Sequence, residues 1–324
     1  MLCASRISFW VASVSSLKHA EARVDDPAWE GIRLDAFVSE CLGLFSRSQA
    51  KARIVEARVN EKPVRIAKKL KSGDLVAVDY RDAPPPDVTP QDIPLAIVFE
   101  NDEVIVIDKP QGMVVHPGSG NPSGTLVNGL LFHCAGLRSS FGGEDPRPGI
   151  VHRLDKETSG VIIAAKNARA HESLSLQFKT RKARKLYLAL LIGSPQADQG
   201  RIETRIIRDP NHRKQFICAK ARGRIAITDY RILRRFGGHA LAALSPRTGR
   251  THQLRAHMRH MGTPILGDPI YARKDPLFPD ATLMLHAKRL EIAIPGEDLP
   301  RRFVAPLPER FKTALIRLQS LSPR

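Results

Sequence analysis

The chain has few cysteines, no long apolar run and a shortage of acidic residues. Four cysteines are scattered over 324 residues without a CxxC pair. Disulfide frameworks and structural zinc sites need paired or clustered thiols, so neither is predicted. Scattered thiols are typical of a reducing compartment, and we expect the cytoplasm. No apolar run reaches the roughly 18 residues that a membrane-spanning helix needs, so we expect no membrane partner.

The shortage of acidic residues leaves a large positive charge. The sequence has 51 lysines and arginines against 33 aspartates and glutamates, a net charge of +18. Such a field favours partners that carry phosphates, because neutralising a phosphate releases its condensed counterions. We therefore expect a nucleic-acid partner. The glycine-rich segment at 118–124 has the spacing of neither a GxGxxG nor a GxxxxGK phosphate loop, and we interpret it as a loop near that partner.

Charge and proline patterns predict a leader over residues 1–30, a small domain over 31–80, a linker over 81–94 and a large domain over 95–324. We expect the leader to be disordered, since its first 20 residues contain several serines and no acid. A transit peptide or a misassigned start would have the same composition. Prolines at positions 84, 85, 86, 90 and 94 remove backbone donors and stiffen the linker.

The small domain carries a dense run of positive charge. Residues 46–71 contain nine lysines and arginines against two glutamates, a local charge of +7. Such runs are usually solvated charged faces, and a phosphate-binding edge is the alternative. Two short helices followed by a small hairpin, an αα-β arrangement, resemble the RNA-binding domain named after ribosomal protein S-four. The resemblance implies that the second helix docks on RNA and places Arg47, Lys51 and Arg53 near phosphates.

In the large domain, short runs rich in β-branched residues are mixed irregularly with a few helical patterns. Strands are predicted at 96–100, 104–108, 161–165, 186–192 and 225–233, and helices at 125–134, 168–179, 251–261 and 309–321. Because strands and helices do not alternate regularly, we expect an α+β fold. Its sheet should be mixed and largely antiparallel, not doubly wound.

The densest group of polar residues lies at Gly149–Gly160, where an apolar strand ends in a polar turn before the next apolar strand begins. Loops at strand ends are where rigid scaffolds place chemistry. Asp155 and Glu157 are the acids of this segment, but their spacing gives no support for the facing carboxylates of a glycosidase. From spacing alone, Asp155 could also be a turn residue that caps a backbone group.

The string His-Arg-Leu-Asp-Lys-Glu-Thr-Ser-Gly at 152–160 resembles the signature of the RluA family of pseudouridine synthases. Further matching strings follow in one order: Asp-Lys-Pro at 108–110, Val-Val-His-Pro-Gly at 114–118, Arg-Thr-His-Gln-Leu-Arg-Ala-His at 250–257 and Gly-Asp-Pro-Ile-Tyr at 267–271. The resemblance implies an isomerase that converts uridine in RNA to pseudouridine without cofactor or metal. We expect a monomer that acts on large-subunit ribosomal RNA, with another RNA such as tRNA as the alternative.

The resemblance also implies roles for single residues. Asp155 is the catalytic residue and acts toward the ribose as nucleophile or base. Tyr187, in a basic residue–x–Tyr motif, stacks on the extruded uracil, as an enzyme acting on a base requires. Arg255 pairs with Asp155 and keeps it charged and oriented. Arg153 contacts the RNA backbone, and Leu285 lines the uracil pocket.

Simpler interpretations of these residues and two other functions remain open. Tyr187 shares a strand face with Ala189 and Leu191, as a core tyrosine would. The arginines at 250–259 could simply contact phosphate, and the histidines beside them could bind metal, although no acid or thiol accompanies them. A non-catalytic RNA-binding assembly factor would lack the catalytic residues, all of which are present. A uracil-removing hydrolase would release free base.

Overall fold

The computed structural model describes residues 17–45, 47–81, 88–118, 120–141, 147–212, 214–297 and 299–321. The chain divides into two compact units, Met1–Pro86 and Asp87–Arg324. Among the described residues, none of the helices combines the length and the apolar character that crossing a bilayer requires.

The first unit is a four-stranded antiparallel sheet with two short helices. The sheet order is β1-β4-β2-β3. Leu34, Phe37 and Val38 recur at helical spacing, and they form the buried side of the first helix, which joins one core cluster with the sheet. In chain order the elements are β1 (Leu17–Arg23), α1 (Leu34–Glu40), α2 (Arg47–Arg53), β2 (Ile54–Val59), β3 (Lys62–Pro63) and β4 (Leu75–Arg81).

The expectation of a disordered leader is wrong for Leu17–Arg23. These residues form β1, which pairs with β4 along its whole length and buries Ala20. Ala20 is its single buried residue, so the strand lacks the apolar alternation by which half-buried strands are recognised. Residues 1–16 of the leader and 82–87 of the predicted linker lie outside the described residues.

The second unit is built on one ten-stranded sheet of order β10-β9-β11-β12-β8-β13-β7-β6-β5, with β14 paired to β13. Among the described residues, β7 and β13 pair in parallel and the other pairs are antiparallel, so the predicted α+β fold is confirmed. The strands are β5 (Ile97–Glu100), β6 (Val104–Lys109), β7 (Ser159–Ala165), β8 (Arg184–Ile192), β9 (Gln199–Arg208), β10 (Phe216–Ala219), β11 (Arg224–Arg235), β12 (His239–Pro246), β13 (Leu285–Ile292) and β14 (Arg301–Val304).

Four helices cover this sheet, and all four lie where helical spacing predicts them. They are α3 (Leu126–His133), α4 (Ala168–Lys179), α5 (Gln253–His260) and α6 (Glu309–Leu321). Asn167 caps α4 by accepting a hydrogen bond from the amide of Ala170. The five predicted strands are also present, as β5, β6, β7, β8 and β11, whereas β9, β10, β12, β13 and β14 were not predicted.

At Gly160, β7 and β13 approach too closely for a side chain. The residue has φ +115°, and a Cβ built there would lie 2.3 Å from the carbonyl oxygen of Ala287. The backbones of Gly160 and Ala287 are paired with each other. Neither can move away from the clash without opening the parallel β7–β13 pairing. This contact explains the glycine that ends the string at 152–160.

We predict that Gly160→Ala lowers the free energy of unfolding by about 3 kcal/mol, because strained backbone and steric clash act together. Gly237→Ala is the matched control, since its φ is +63° but nothing lies within 4 Å of the added Cβ. Conformational strain alone should cost that variant about 1 kcal/mol. Urea denaturation measures both, and equal losses would show that the close approach is unimportant.

Candidate active site

Asp155 lies in the loop that precedes β7. The buried side chains of Leu154 and Thr158 anchor the loop, while 21% of the Asp155 side chain stays exposed. The carbonyl oxygen of Asp155, and not its carboxylate, closes the turn by accepting a hydrogen bond from the amide of Thr158 at 3.1 Å. The carboxylate is therefore available to a neighbouring cavity, and the turn-capping interpretation has no support in this geometry.

Lys109, at the end of β6, ties this loop to the sheet. Its fully buried ammonium donates to the carbonyl oxygens of Pro110 and Met113 at 2.8 Å and of Lys156 at 3.2 Å. Burial lowers the pKa of Lys109 to about 8, against the opposing charges of Glu157 and Asp155. The Asp-Lys-Pro string was matched in the sequence without a role. The structure shows that its lysine holds the residue next to Asp155.

His152, in the same string as Asp155, is a second anchor. Its Nε2 accepts a hydrogen bond from the amide of Ile163 at 3.0 Å, and its ring stacks on Phe178 with centroids 4.5 Å apart. Burial, and then the charge of Lys185, lowers the pKa of His152 to about 3. The imidazole is therefore neutral and joins the loop to β7.

Arg255, on α5, is shared unequally between two carboxylates. Its Nε and Nη2 each donate to Asp268 at 2.7 Å, whereas its Nη1 lies 3.8 Å from Oδ2 of Asp155. Burial lowers the pKa of Arg255, but the hydrogen bonds and charge of Asp268, followed by the charge of Asp155, raise it overall. Arg255 thus stays charged beside Asp155, but its bidentate partner is Asp268, for which sequence reasoning gave no role.

Asp268 and Tyr271, in the Gly-Asp-Pro-Ile-Tyr string, form a rigid support for this arginine. Oδ1 of Asp268 also accepts hydrogen bonds from the amides of Ile270 at 2.9 Å and Tyr271 at 3.0 Å. The guanidinium of Arg255 lies 5.0 Å from the centre of the Tyr271 ring. His252 meets the Tyr271 hydroxyl at 3.0 Å. The sequence identified this string only by resemblance. The structure shows that its Asp268 and Tyr271 hold Arg255 in place.

The register of the central strands places Tyr187 and Leu285 on one face of the sheet. Tyr187 on β8 lies opposite Ala287 on β13, and Ala189 lies opposite Leu285. Burial, followed by the charge of Asp155, raises the pKa of Tyr187 well above its usual value. Its phenol is therefore protonated at neutral pH. Tyr187 belongs to the core cluster and also lines a cavity.

That cavity, of about 110 Å³, brings together all the site residues predicted in the large domain, namely Arg153, Asp155, Tyr187, Arg255 and Leu285. Asp155 is the one acid among the described residues that line it. A larger cavity of about 540 Å³ adjoins it and shares Arg153, Asp155 and Arg255 with the first. One carboxylate, a protonated phenol and the apolar side chains of Leu154, Leu254 and Leu285 suit chemistry on a base and its sugar without a second carboxylate.

The predicted RNA-binding residues lie in the other unit, all on α2. Arg47 is 3.4 Å from the carboxylate of Asp35, and the guanidinium of Arg53 lies 4.7 Å from the centre of the Phe45 ring. Lys51, one helical turn after Arg47, is exposed. Two of the three cations are therefore already engaged within their own unit.

The geometry gives little support for metal binding by His252 and His257, the histidines of the 250–259 segment. His257 meets the hydroxyls of Thr228 at 2.9 Å and Thr204 at 3.1 Å, while His252 meets Tyr271. Elsewhere, the donor atoms of Glu100, His133 and Cys134 lie within 4.8 Å of one another. The carboxylate of Glu100 is already bound by Lys166 at 2.9 Å, a cation that would repel a metal ion.

We predict that the same substitution affects stability very differently at the two carboxylates that share Arg255. Asp268→Asn breaks a fully buried pair and should lower the free energy of unfolding by about 3 kcal/mol or more. Asp155→Asn removes a longer, partly exposed contact and should cost less than about 1 kcal/mol. Urea denaturation of both variants checks this. A larger loss for Asp155→Asn would mean that Asp155 is the structural partner.

Comparison with known proteins connects this site to a family. Residues 103–260 match the family model described as RNA pseudouridylate synthase. "Ribosomal large subunit pseudouridine synthase D" from Borreliella burgdorferi is 43% identical over 286 residues, covering 86% of this chain and 87% of that protein. The protein of the same name from Xanthomonas campestris is 39% identical over 324 residues, covering 96% and 95%.

A solved structure supports the same relationship. "Human RNA Pseudouridylate Synthase Domain Containing 4" has a TM-score of 0.55 at 26% identity, covering 69% of this chain and 93% of that one. The match extends over nearly the whole human chain, so the two share the fold that carries the cavity. With more than 40% identity to a relative over most of both chains, this protein belongs to the RNA pseudouridylate synthase family and is an isomerase of uridine in RNA.

Proposed function

We propose that this enzyme converts specific uridines of large-subunit ribosomal RNA to pseudouridine, with Asp155 as its catalytic residue. The observation that carries the proposal is the 110 Å³ cavity, where Asp155 lies with Tyr187, Leu285 and Arg255. The ribosomal substrate is supported by the names of the two relatives from Borreliella and Xanthomonas. Another RNA, such as tRNA, is the alternative substrate for the same chemistry.

The reaction exchanges one bond for another within a single nucleotide. The bond between N1 of uracil and C1′ of ribose breaks, the base turns, and C5 joins C1′; the proton of C5 is lost and N1 gains one. No water is consumed and no electrons are transferred. Asp155 acts toward the ribose as nucleophile or as base, and both roles need a charged carboxylate. Arg255, fixed in place by Asp268, lies 3.8 Å from that carboxylate and orients it.

Tyr187 supplies the surface against which the extruded uracil stacks. Removing a base from its helix costs stacking and pairing energy, which an aromatic wall partly restores. The phenol is protonated at neutral pH, so its hydroxyl can donate a hydrogen bond to the turning base. Leu285, on the same face of the sheet, forms the apolar wall beside it.

The first unit contributes to RNA binding and not to chemistry. Its helix α2 carries an exposed lysine, Lys51, within the segment 46–71 of net positive charge. Arg47 and Arg53 extend this basic edge, although both also make contacts within the unit. Phosphate contacts of this kind add affinity without selecting a sequence. The arrangement supports the S-four-like role expected from the sequence.

We predict that Asp155→Asn abolishes pseudouridine formation while the protein still folds and binds RNA, because the amide removes the charge but keeps the shape. Tritium release from RNA labelled at C5 of uridine measures turnover, and filter binding on the same preparation measures affinity. Asp102→Asn, at an exposed position outside the cavity, is the control. Tritium release by the Asp155 variant at the wild-type rate would overturn the assignment. Free uracil among the wild-type products would instead identify a hydrolase.

We predict that Tyr187→Phe keeps RNA affinity but loses turnover, since the phenyl ring still stacks while the hydroxyl is gone. Tyr187→Ala should lose both, because stacking is worth about 1–3 kcal/mol per base. Tyr230→Ala is the control: both tyrosines are 8% exposed and belong to one core cluster, but Tyr230 does not line the cavity. Equal turnover in the two alanine variants would return Tyr187 to a purely structural role.

A further inference from the structure

A groove of about 770 Å³ opens beside the cavity of Asp155, and its walls are strongly basic. It is formed by the end of α4, the start of β8, the end of β12 and part of β13. Eight of its described lining residues are lysines or arginines, and Glu291 is the single acid. The carboxylate of Glu291 is already taken, since Arg302 lies 3.0 Å and Arg289 3.3 Å from it.

Lys185 stands where the groove and the cavity meet, and it lines both. Its ammonium lies 5.8 Å from the centre of the Phe178 ring. Among the described residues no carboxylate forms an ion pair with it, and burial alone lowers its pKa. A half-buried ammonium without a carboxylate partner is incompletely stabilised, and an anionic ligand at this position would stabilise it. Lys185 is therefore suited to bind an anionic ligand.

The outer part of the groove also favours an anionic ligand. Arg181 and Arg184 follow α4 closely and are both exposed. Like charges around a concave surface repel one another, and they concentrate the positive potential that attracts phosphates. The 540 Å³ cavity differs, because two acids, Asp155 and Glu157, both line it. Of the two larger cavities, the 770 Å³ groove is therefore the one that favours phosphate.

We propose that this groove binds the backbone phosphates of the RNA strand on one side of the target nucleotide, and that Lys185 binds the phosphate nearest the extruded uridine. The RNA partner rests on the proposed function. Groove and cavity share six lining residues, among them Arg153, Lys185 and Arg250. A strand held in the groove is therefore continuous with a base in the cavity.

The first test removes charge from the outer groove of the full-length enzyme. Arg181→Gln with Arg184→Gln is compared with Arg231→Gln and Arg234→Gln, two exposed positions of β11 that line none of the three cavities. The probe is in-vitro-transcribed large-subunit ribosomal RNA carrying uridine tritiated at C5. We expect the groove variant to raise Kd and KM roughly tenfold, and to flatten the dependence of log K on log salt by about 0.7 per lost contact. The β11 variant should keep the wild-type values.

The second test separates ligand binding by Lys185 from a structural role. Lys185→Gln should raise KM roughly tenfold, and Lys185→Arg, which keeps the charge, should restore most of the loss. The Tm of Lys185→Gln should be at least that of the wild type, because the half-buried ammonium has no carboxylate partner to lose among the described residues. A lowered Tm with unchanged KM would show that Lys185 serves packing and would overturn its assignment.

The outcomes for the groove and for the proposed reaction are distinct. An unchanged Kd and salt slope in the groove variant, or equal losses in the β11 variant, would overturn the groove proposal. A wild-type enzyme that binds this RNA through the groove but releases no tritium would support the groove and refute the substrate or the reaction. Groove-dependent binding together with tritium release supports both.

Discussion

The buried guanidinium of Arg255 is held by two carboxylates of unequal strength, and the site is built around that inequality. Asp268 binds it through two 2.7 Å hydrogen bonds and is itself held by backbone amides, while Asp155 lies 3.8 Å away. Because Asp268 offsets most of the cost of burying the cation, the Asp155 carboxylate is not needed to pair with it and stays available to the cavity. A carboxylate that is oriented but not hydrogen-bonded by its partner suits the role proposed for Asp155.

Several residues in and around the string at 152–160 fix the loop that carries Asp155. Lys109 binds the carbonyl of Lys156, His152 accepts the amide of Ile163, and Gly160 lets β13 approach β7. Lys109 and His152 have strongly lowered pKa values, yet the ammonium of Lys109 and Nε2 of His152 are held in structural hydrogen bonds. A perturbed pKa near an active site thus marks positioning groups as well as reacting ones.

The predictability of the elements follows from how local their signals are. Helix α4 and strand β7 were predicted because amphipathic spacing and a β-branched run are visible within one segment. Strand β13 was missed, since Lys288, Arg289 and Glu291 break its apolar pattern. It is a strand because β7 and β8 lie on either side of it, and such pairing overrides local propensity. Strand β1 was missed because it too lacks an apolar pattern, and its pairing with β4 makes it a strand.

The sequence by itself determined the family, the α+β class and the basic character of the chain, and it pointed to Asp155 as the candidate catalytic residue, because each is carried by residue order or composition. Tertiary structure decided that Asp268 is the close partner of Arg255. It also decided that residues as distant in sequence as Arg153 and Leu285 line one cavity, and that the basic groove opens beside it. These facts depend on strand order and register. A shift of one residue would turn Tyr187 to the other face of the sheet, and no local pattern encodes that choice.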